Sequence, residues 1–248
     1  MHVHTTYQDG IACVRLQRPP ANAMEPGFLD EIAVCFDALA SEDSAQAVVL
    51  SGTDNIFSAG MDLKHATALD GAGSDEIVLA FNRAFAAVYG LEKPVIGALN
   101  GHAIAGGMVL ALCCDCRIAP NNASRFGLTE VRVGVPFPEV AYNVIADQLR
   151  PDTLRKMVQF GENMDCDTAL AWGAVDELVA PEQVFERALE KARQCLEIPP
   201  RGYSQVKRQL RGPVIERNRV LVSANRDKFL GQWIDNDARQ AALKVLKG

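Results

Sequence analysis

The sequence lacks several features that would assign it to a specialised class of protein. Its longest apolar run, Met108 to Cys114, is far shorter than the ~18 residues that a membrane-spanning helix needs. A surplus of positive charge is also missing, because 31 acidic side chains outnumber 25 basic ones and leave a net charge of −6. Nucleic-acid-binding domains usually carry a basic field. We therefore expect neither a membrane nor a nucleic acid as a partner.

Targeting signals are absent from both ends of the printed sequence. The first residues, MHVHTTYQDG, have neither the charged region nor the apolar region of a signal peptide. The last residues, ALKVLKG, do not form a peroxisomal tripeptide. The cytoplasm is the expected location.

Metal-ligand spacing is missing as well. The seven cysteines are an odd number, and three of them crowd into CCDC without the second cluster or spaced histidines of a zinc site. We expect no metal, and we expect Cys113, Cys114 and Cys116 to be small core residues in a reducing compartment.

The apolar segments that are present predict an α/β protein. HVHTTYQ-DG-IACVRLQ is typical of a hairpin with Asp9-Gly10 at its turn. Short apolar runs at Ala47 to Gly52, Pro94 to Leu99 and Cys116 to Ala119 are typical of buried strands. Helical spacing separates these runs, which favours βαβ units and a mostly parallel sheet.

Helical patterns dominate after about Pro138. The last two predicted helices run from Gly202 to Leu210 and from Val214 to Leu246. An earlier helix is predicted from Ser74 to Leu91, with Ser74 as its N-cap. A helical tail must bury its apolar stripes, and a subunit interface is a reasonable place.

The segment NGHAIAGGMVLALCCDC, residues 100–116, places a glycine pair before an apolar helix. It is not a phosphate-binding loop, because Gly107-Met108 stand where a lysine and a hydroxyl residue are required. The first N–H groups of a helix have no partner within the helix, and glycine lets another group approach them. Close helix–sheet packing is the alternative reason for the glycines.

A second segment, FSAGMDL (57–63), follows another predicted strand and has a similar turn of small residues. Turns that follow neighbouring parallel strands face the same crevice. One N–H group from each turn would form a two-donor hole for a developing oxyanion.

Together, FSAGMDL and NGHAIAGG resemble the paired oxyanion-hole motifs of the crotonase (enoyl-CoA hydratase/isomerase) superfamily. The resemblance extends over nearly the whole chain. Its other segments are RPPANAM (18–24), DCRIA (115–119), FGLTEVRVGV (126–135) and ALAWGAVDELV (169–179).

This resemblance implies a crotonase (ClpP-like) fold, an α/β spiral core of ββα type with a C-terminal helical trimerisation region. Residues 1–195 would form the core that holds the active site. Residues 196–248 would form the helical region, packed on the core or on a neighbouring subunit. A homotrimer or a dimer of trimers is implied. No separate cofactor is implied, because coenzyme A enters as part of the acyl-CoA substrate.

Carried over by position, the resemblance assigns the two oxyanion donors to the backbone N–H groups of Met61 and Gly106. Most members have three glycines where this chain has Ala105-Gly106-Gly107, which is a mild departure. The other positions expected to contact the substrate or its coenzyme A part are Ala23, Ser58, Ala59, Gly60, Asp62, Lys64, Gly107, Val109 and Phe137.

The acids decide which reaction the resemblance implies. The family's hydratases use two glutamates, and the corresponding positions here are Val109 and Glu130. With one carboxylate missing, the pair that would hold and activate a water is incomplete. The family's monofunctional Δ3,Δ2-enoyl-CoA isomerases also have an apolar residue and one glutamate at these positions. The resemblance therefore implies an isomerase with Glu130 as its base. Burial between the apolar residues that flank it, Leu128, Val131 and Val133, would raise its pKa.

Glu139 leaves an alternative open. It lies nine residues after Glu130, close to where the family's dienoyl-CoA isomerases carry a second acid. The competing interpretation is a glutamate in the first turn of a helix, where the helix dipole favours it. A hydratase, a dienoyl-CoA isomerase, an acyl-CoA hydrolase and a catalytically silent acyl-CoA-binding member all remain alternatives.

A basic stretch near the C-terminus has two interpretations. It carries Arg201, Lys207, Arg208 and Arg211. These side chains would form a solvated helix face, or some of them would reach the phosphates of coenzyme A.

Overall fold

The computed structural model describes residues 1–68 and 71–245. The strands in these ranges are β1 (Val3–Gln8), β2 (Ile11–Leu16), β3 (Ala47–Ser51), β4 (Ile56–Ser58), β5 (Val95–Ala98), β6 (His102–Ile104), β7 (Cys116–Pro120), β8 (Phe126–Gly127), β9 (Asn163–Met164) and β10 (Glu177–Val179). The helices are α1 (Pro26–Ser41), α2 (Leu63–Ala68), α3 (Gly71–Gly90), α4 (Gly106–Cys113), α5 (Glu139–Gln148), α6 (Pro151–Phe160), α7 (Cys166–Ala171), α8 (Val184–Leu196), α9 (Pro200–Ser223) and α10 (Asn236–Val245), with 3₁₀ turns at Glu130–Val133 and Pro181–Gln183.

The larger sheet has the strand order β1-β2-β3-β5-β7-β10. Only β1 and β2 pair antiparallel in it, and the other neighbours are parallel. The predicted hairpin is confirmed: Asp9 and Gly10 have φ values of +51° and +75° at its turn. Positive φ at both central residues is what a two-residue hairpin turn of the favoured hand requires. The predicted mostly parallel sheet is confirmed as well.

Both faces of this sheet are covered. Ala12, Val14 and Leu16 of β2 face the main core, which also contains buried side chains of α1, α3 and α4. The alternate residues Ile11 and Cys13 face a smaller core against α8. Coverage on both sides explains why the inner strands β3 and β5 are apolar runs without an exposed polar face.

A second sheet of very short strands, in the order β4-β6-β8-β9, is not apparent from the sequence. Strands of two or three residues are too short to show a hydrophobic period. The pairs β4–β6 and β6–β8 are parallel. This sheet positions the two glycine-containing segments beside each other.

The prediction that Ser74 is an N-cap is wrong. Helix α3 spans Gly71–Gly90, and Ser74 is buried inside it; no hydrogen-bond partner of its hydroxyl group is found among the described residues. Ser74 shares the apolar stripe of Ile77, Val78 and Phe81, at the spacing of one helix face. The packing of that face against the core outweighs the local capping preference of serine.

The predicted boundaries of the last two helices are wrong as well. Helix α9 continues through Pro213, and the chain leaves the helix after Ser223, before α10 begins at Asn236. Asn225 has a φ of +47°, a conformation that ends a helix. The last residue of the predicted helix, Leu246, lies outside the described residues.

Buried charges hold α9 onto the core. Lys207 Nζ lies 2.7 Å and Arg211 Nη1 lies 3.2 Å from the carboxylate of Asp115, and all three side chains are largely buried. The guanidinium group of Arg211 also donates to the carbonyl oxygens of Cys113 and Cys114 at 3.1 Å each, at the end of α4. These anchors lie on one side of Pro213. On the other side, Asn218 accepts a hydrogen bond from Asn143.

This arrangement corrects the interpretation of the basic stretch. Lys207 and Arg211 are neither solvated nor free to reach a coenzyme phosphate, because both are buried and paired with Asp115 inside the protein. Arg201 and Arg208 are exposed, and Arg208 pairs with Glu92 at 3.4 Å. Within the chain α9 packs on α3 and α5. The division at residue 196 and the trimerisation role of this region stay predictions.

None of the helices in residues 1–68 and 71–245 combines the length and the hydrophobicity that a bilayer crossing requires. The same part of the chain has no group of three or more His, Cys, Asp or Glu side chains arranged for a metal ion. Cys113 and Cys114 are fully buried, and burial raises the pKa of the Cys114 thiol to about 12.

We expect Asp115→Asn to destabilise the protein strongly. It would leave the charges of Lys207 and Arg211 buried without a counter-charge, which costs about 3 kcal/mol or more of unfolding free energy. Urea denaturation measures the loss. The matched control is Glu216→Gln, which removes an exposed partner of Arg219 on the same helix. An equal midpoint shift in both variants would refute a special role for the buried cluster.

Candidate active site

The two glycine-containing segments lie side by side, as the sequence predicts. FSAGMDL begins in β4 and NGHAIAGG contains β6, and these strands are parallel neighbours with Ser58 opposite Ala103. The strands that precede the segments, β3 and β5, are also parallel neighbours. The crevice between the two turns is therefore built by paired strands on both sides.

Glycine is required where the segments meet. A Cβ on Gly60 would lie 2.7 Å from the carbonyl oxygen of Ile104 and 2.8 Å from the amide nitrogen of Gly106. Gly60 also has a φ of +78°, which side chains rarely adopt. A Cβ on Gly107 would lie 2.2 Å from the carbonyl oxygen of Ser58. Gly107 is thus a packing glycine.

The amide of Met61 faces the crevice. Met24 N–H donates to the carbonyl oxygen of Gly60 at 2.7 Å, and Asp62 N–H donates to the carbonyl oxygen of Met24 at 2.8 Å. In such a parallel bridge, the residue between the two bonded ones, here Met61, directs its own N–H away from Met24. Among the described residues no hydrogen-bond acceptor is found for the Met61 amide, and Met61 lines the cavity described below.

The amide of Gly106 is the first N–H group of α4. An amide at this position has no acceptor within its helix and lies at the positive end of the helix dipole. The preceding residue, Ala105, has φ +52° and ψ −128°, a conformation that strains a residue with a Cβ. Its N–H donates to the carbonyl oxygen of Gly127 at 2.7 Å, which holds the turn in place.

A cavity of about 310 Å³ opens at these amides. This volume lies within the range of small-molecule sites. Its lining is mostly apolar and includes four aromatic side chains. The lining residues are Ala59, Met61, Leu63, Phe81, Phe85, Ile104, Ala105, Gly106, Val109, Thr129, Glu130, Arg132, Val133, Val135, Phe137, Pro138, Ala141, Asn163 and Trp233.

Glu130 places a carboxyl group on this cavity. It is the first residue of a 3₁₀ turn and is only 8% exposed. Its Oε2 atom is buried and has no hydrogen-bond partner in the described part of the chain. Burial removes water that would stabilise the carboxylate, and this raises the pKa of Glu130 to about 8. The carboxyl group is therefore poised to exchange a proton near neutral pH.

The neighbours of Glu130 match the sequence expectation in part. Leu128 is fully buried and Val133 lines the cavity, as expected for an apolar flank. Val131 is 47% exposed instead, because a 3₁₀ turn directs successive side chains about 120° apart. Val109 lines the cavity from α4 and is 1% exposed, so an apolar side chain occupies the position of the missing acid.

Six of the predicted site residues meet at the cavity, and the others lie around it. Those on the lining are Ala59, Met61, Gly106, Val109, Glu130 and Phe137. Ser58 does not line it, because its hydroxyl donates to the carbonyl oxygen of Asn22 at 2.8 Å and accepts from the Gly60 amide at 3.2 Å. Lys64 is exposed on α2.

Asp62 and Ala23 are joined through a residue that the sequence analysis missed, Arg18. Its Nη1 donates to the carbonyl oxygen of Ala23 at 2.7 Å and to Oδ2 of Asp62 at 3.1 Å. Oδ1 of Asp62 accepts from the amides of Lys64 and His65 at the start of α2. The carboxylate of Asp62 thus supports the turn that contains Met61.

Glu139 is the first residue of α5, and its carboxylate does not line the cavity. Its Oε2 accepts from the amide of Lys228 at 2.8 Å. The structure therefore places Glu139 in the first turn of a helix, which is one of the two interpretations that the sequence leaves open.

Trp233 is the largest residue of the site that sequence reasoning missed. It comes from the irregular segment between α9 and α10, which the sequence analysis treated as part of one long helix. Phe81 and Phe85 meet it at the cavity from a helix more than 140 residues earlier in the chain. No local pattern signals such a contact. The only hint is that Trp233 is one of two tryptophans.

Relatives of known sequence resemble this chain along most of its length. A probable enoyl-CoA hydratase, EchA17, of Mycobacterium tuberculosis (strain H37Rv) is 32% identical over 198 residues, which is 80% of this chain and 76% of the relative. A carnitinyl-CoA dehydratase of Escherichia coli (strain SMS-3-5 / SECEC) is 30% identical over 246 residues, which is 97% of this chain and 94% of the relative.

Solved structures share the fold. Human mitochondrial Δ3,Δ2-enoyl-CoA isomerase superposes with a TM-score of 0.93 at 25% identity, covering 100% of this chain and 97% of that one. A probable enoyl-CoA hydratase, EchA3, of Mycobacterium tuberculosis H37Rv superposes with a TM-score of 0.83 at 27% identity, covering 90% and 94%. The enoyl-CoA hydratase/isomerase family model matches residues 6–247. The chain therefore belongs to the enoyl-CoA hydratase/isomerase family and has the crotonase fold.

Proposed function

We propose that this protein is a Δ3,Δ2-enoyl-CoA isomerase that uses Glu130 as its single acid–base group. The observation that carries the proposal is that Glu130 is the one carboxyl residue among the described residues of the cavity lining, where Val109 is apolar. Its Oε2 atom is buried and has no hydrogen-bond partner in the described part of the chain. A reaction that returns the proton it removes needs only one such group. Hydration requires a second group to position and activate water.

In the proposed reaction, the Glu130 carboxylate removes a proton from carbon 2 of a 3-enoyl thioester. The electrons of that C–H bond move into the conjugated system and give a dienolate, with negative charge on the thioester oxygen. Glu130 then returns the proton to carbon 4. The double bond has moved from carbons 3 and 4 to carbons 2 and 3, and Glu130 is a carboxylate again.

The amides of Met61 and Gly106 are the proposed donors to the dienolate oxygen. Both lie on the cavity, and neither amide is used in the hydrogen bonding of the described backbone. Donors that are already oriented need no reorganisation when charge develops on the oxygen, which makes them effective. The 3′-phosphoadenosine part of coenzyme A lies outside this cavity in the proposal, near Ala23, Ser58, Ala59, Gly60, Asp62 and Lys64.

The relatives favour one other candidate. EchA17 is named a probable enoyl-CoA hydratase, whereas the human structure is of a Δ3,Δ2-enoyl-CoA isomerase. Hydration is thus the second candidate activity. The two are separated by incubating the protein with 3-enoyl-CoA and with 2-enoyl-CoA and identifying the products. A homotrimer or dimer of trimers and a cytoplasmic location remain predictions.

We expect Glu130→Gln to lower the kcat for 3-enoyl-CoA isomerisation by about 10²–10⁴-fold, because glutamine cannot accept the proton. Ultraviolet absorbance of the conjugated thioester measures the rate. Glu139→Gln is the matched control and keeps its activity, since its carboxylate lies outside the cavity.

Two results would contradict the proposal. Full isomerase activity in Glu130→Gln would show that Glu130 is not the base. A wild-type protein that only hydrates 2-enoyl-CoA would show that the activity is hydration and not isomerisation. Equal losses in both variants would support a two-acid reaction.

The pH dependence follows from the raised pKa of Glu130. The base must be deprotonated, so kcat/KM falls about tenfold per pH unit below about 8 and levels off above it. An ordinary glutamate, with a pKa of about 4.3, would give a flat profile from pH 6 to 9. Affinity for an unreactive saturated acyl-CoA, measured at each pH, controls for changes in binding. A flat kcat/KM profile over this range would count against Glu130.

Gly60→Ala tests the close contact between the two turns. Because the added Cβ would lie within 2.8 Å of the Gly106 amide, the turns must separate and misplace a donor. We expect kcat to fall by about 10²-fold, the usual effect of losing one oxyanion donor. Gly202→Ala on α9 is the control, since its Cβ would make only an ordinary van der Waals contact, 4.0 Å from the Cβ of Pro199. An unchanged kcat in Gly60→Ala would exclude the turn contact as a catalytic requirement.

A further inference from the structure

Trp233 contributes an aromatic wall to the cavity from a distant part of the chain. The side chain is 3% exposed and lies in the segment that joins α9 to α10. The cavity's reacting groups, by contrast, come from residues 61–130. The apolar remainder of the cavity therefore depends on the C-terminal segment as well as on α3.

The indole ring is held in one orientation. Its N–H group donates to the carbonyl oxygen of Pro136 at 2.6 Å. The ring meets the edge of Phe81 with centroids 6.0 Å apart and planes at 67°, and Phe81 stacks on Phe85 at 5.4 Å. A buried tryptophan with its N–H satisfied and its ring packed against Phe81 is a rigid wall.

The segment is fastened to the core near Trp233. The carboxylate of Asp227 accepts from the side-chain amide of Asn82 at 2.9 Å and from the backbone amide of Glu139 at 2.6 Å. Asn82 in turn accepts from the amide of Val140 at 3.2 Å. These bonds connect the segment to α3 and α5, which also line the cavity.

We propose that Trp233 closes the acyl end of the cavity and limits the length of the acyl chain that this protein accepts. The proposal rests on the proposed function for its substrate class, an acyl-CoA. Each CH₂ group that enters the apolar cavity strengthens binding by roughly fourfold. The gain stops at the chain length that reaches the indole ring, because a packed core does not make room for extra atoms without strain.

Binding of saturated acyl-CoAs of increasing length tests this directly, because they cannot react. In the wild type we expect affinity to rise roughly fourfold per CH₂ and then to stop rising at a limiting length. Trp233→Ala moves that limit to chains at least two carbons longer, and Trp233→Phe gives an intermediate limit. Thermal denaturation establishes that the variants are folded.

Fluorescence supplies a second readout. Trp172 is the other tryptophan, and it packs under Lys156 away from the cavity. In a Trp172→Phe background the emission comes from Trp233 alone, and we expect it to change only when the acyl chain approaches the limiting length.

Phe229→Ala is the matched control for the segment. Phe229 lies on the same segment but lines a separate surface groove. It is expected to keep the wild-type limiting length. A shift as large as that of Trp233→Ala would mean that loosening the segment, not removing the indole, causes the effect, and would overturn the proposal.

Two further outcomes would overturn the proposal. One is an unchanged limit in Trp233→Ala. The other is an equal loss of affinity at every chain length, which would place Trp233 beside the coenzyme part. Failure of the proposed function can be told apart from failure of this inference. If the protein binds acyl-CoA with a length limit but does not isomerise 3-enoyl-CoA, the proposed function fails and the inference about Trp233 stands. If the protein binds no acyl-CoA, both fail.

Discussion

Two backbone segments meet around Gly60, and the contact leaves no space for a side chain there. The amide nitrogen of Gly106 and the carbonyl oxygen of Ile104 would both lie within 3 Å of a Cβ at that position. Parallel pairing of β4 with β6 brings the segments together, and the Met24 bridge turns the Met61 amide toward the crevice. The position of both free amides therefore depends on glycine and on hydrogen bonds made by other residues.

The electrostatics of the site follow from its apolar lining. Glu130 is buried, and one of its carboxyl oxygens has no hydrogen-bond partner among the described residues; burial therefore raises its pKa. An acid at the position of Val109 would add a second group able to hold a water. The same apolar surroundings thus raise the pKa of one acid and hold, among the described lining residues, no second acid to activate a water. This is the physical basis for proposing isomerisation.

The C-terminal part of the chain supports this site from two directions. Arg211 of α9 binds the carbonyl oxygens at the end of α4, the helix that begins with the Gly106 amide. The following segment is bound through Asp227 to α3 and α5 and places Trp233 on the cavity. These contacts join residues between 88 and 145 positions apart in the sequence.

The family, the parallel sheet and the two glycine turns could be predicted from the amino-acid sequence, because each of them depends on residues close together in the chain. The sequence also indicated Glu130 as an acid of the site, but it left open whether Glu139 was a second one. It did not determine where Ser74 would lie, since burial of a whole helix face outweighs the capping preference of one residue. Lys207 and Arg211 looked like solvent-exposed bases until tertiary structure placed Asp115 between them. The position of Trp233 on the cavity follows from the folded structure alone, because its contacts with Phe81 and Pro136 leave no trace in local spacing.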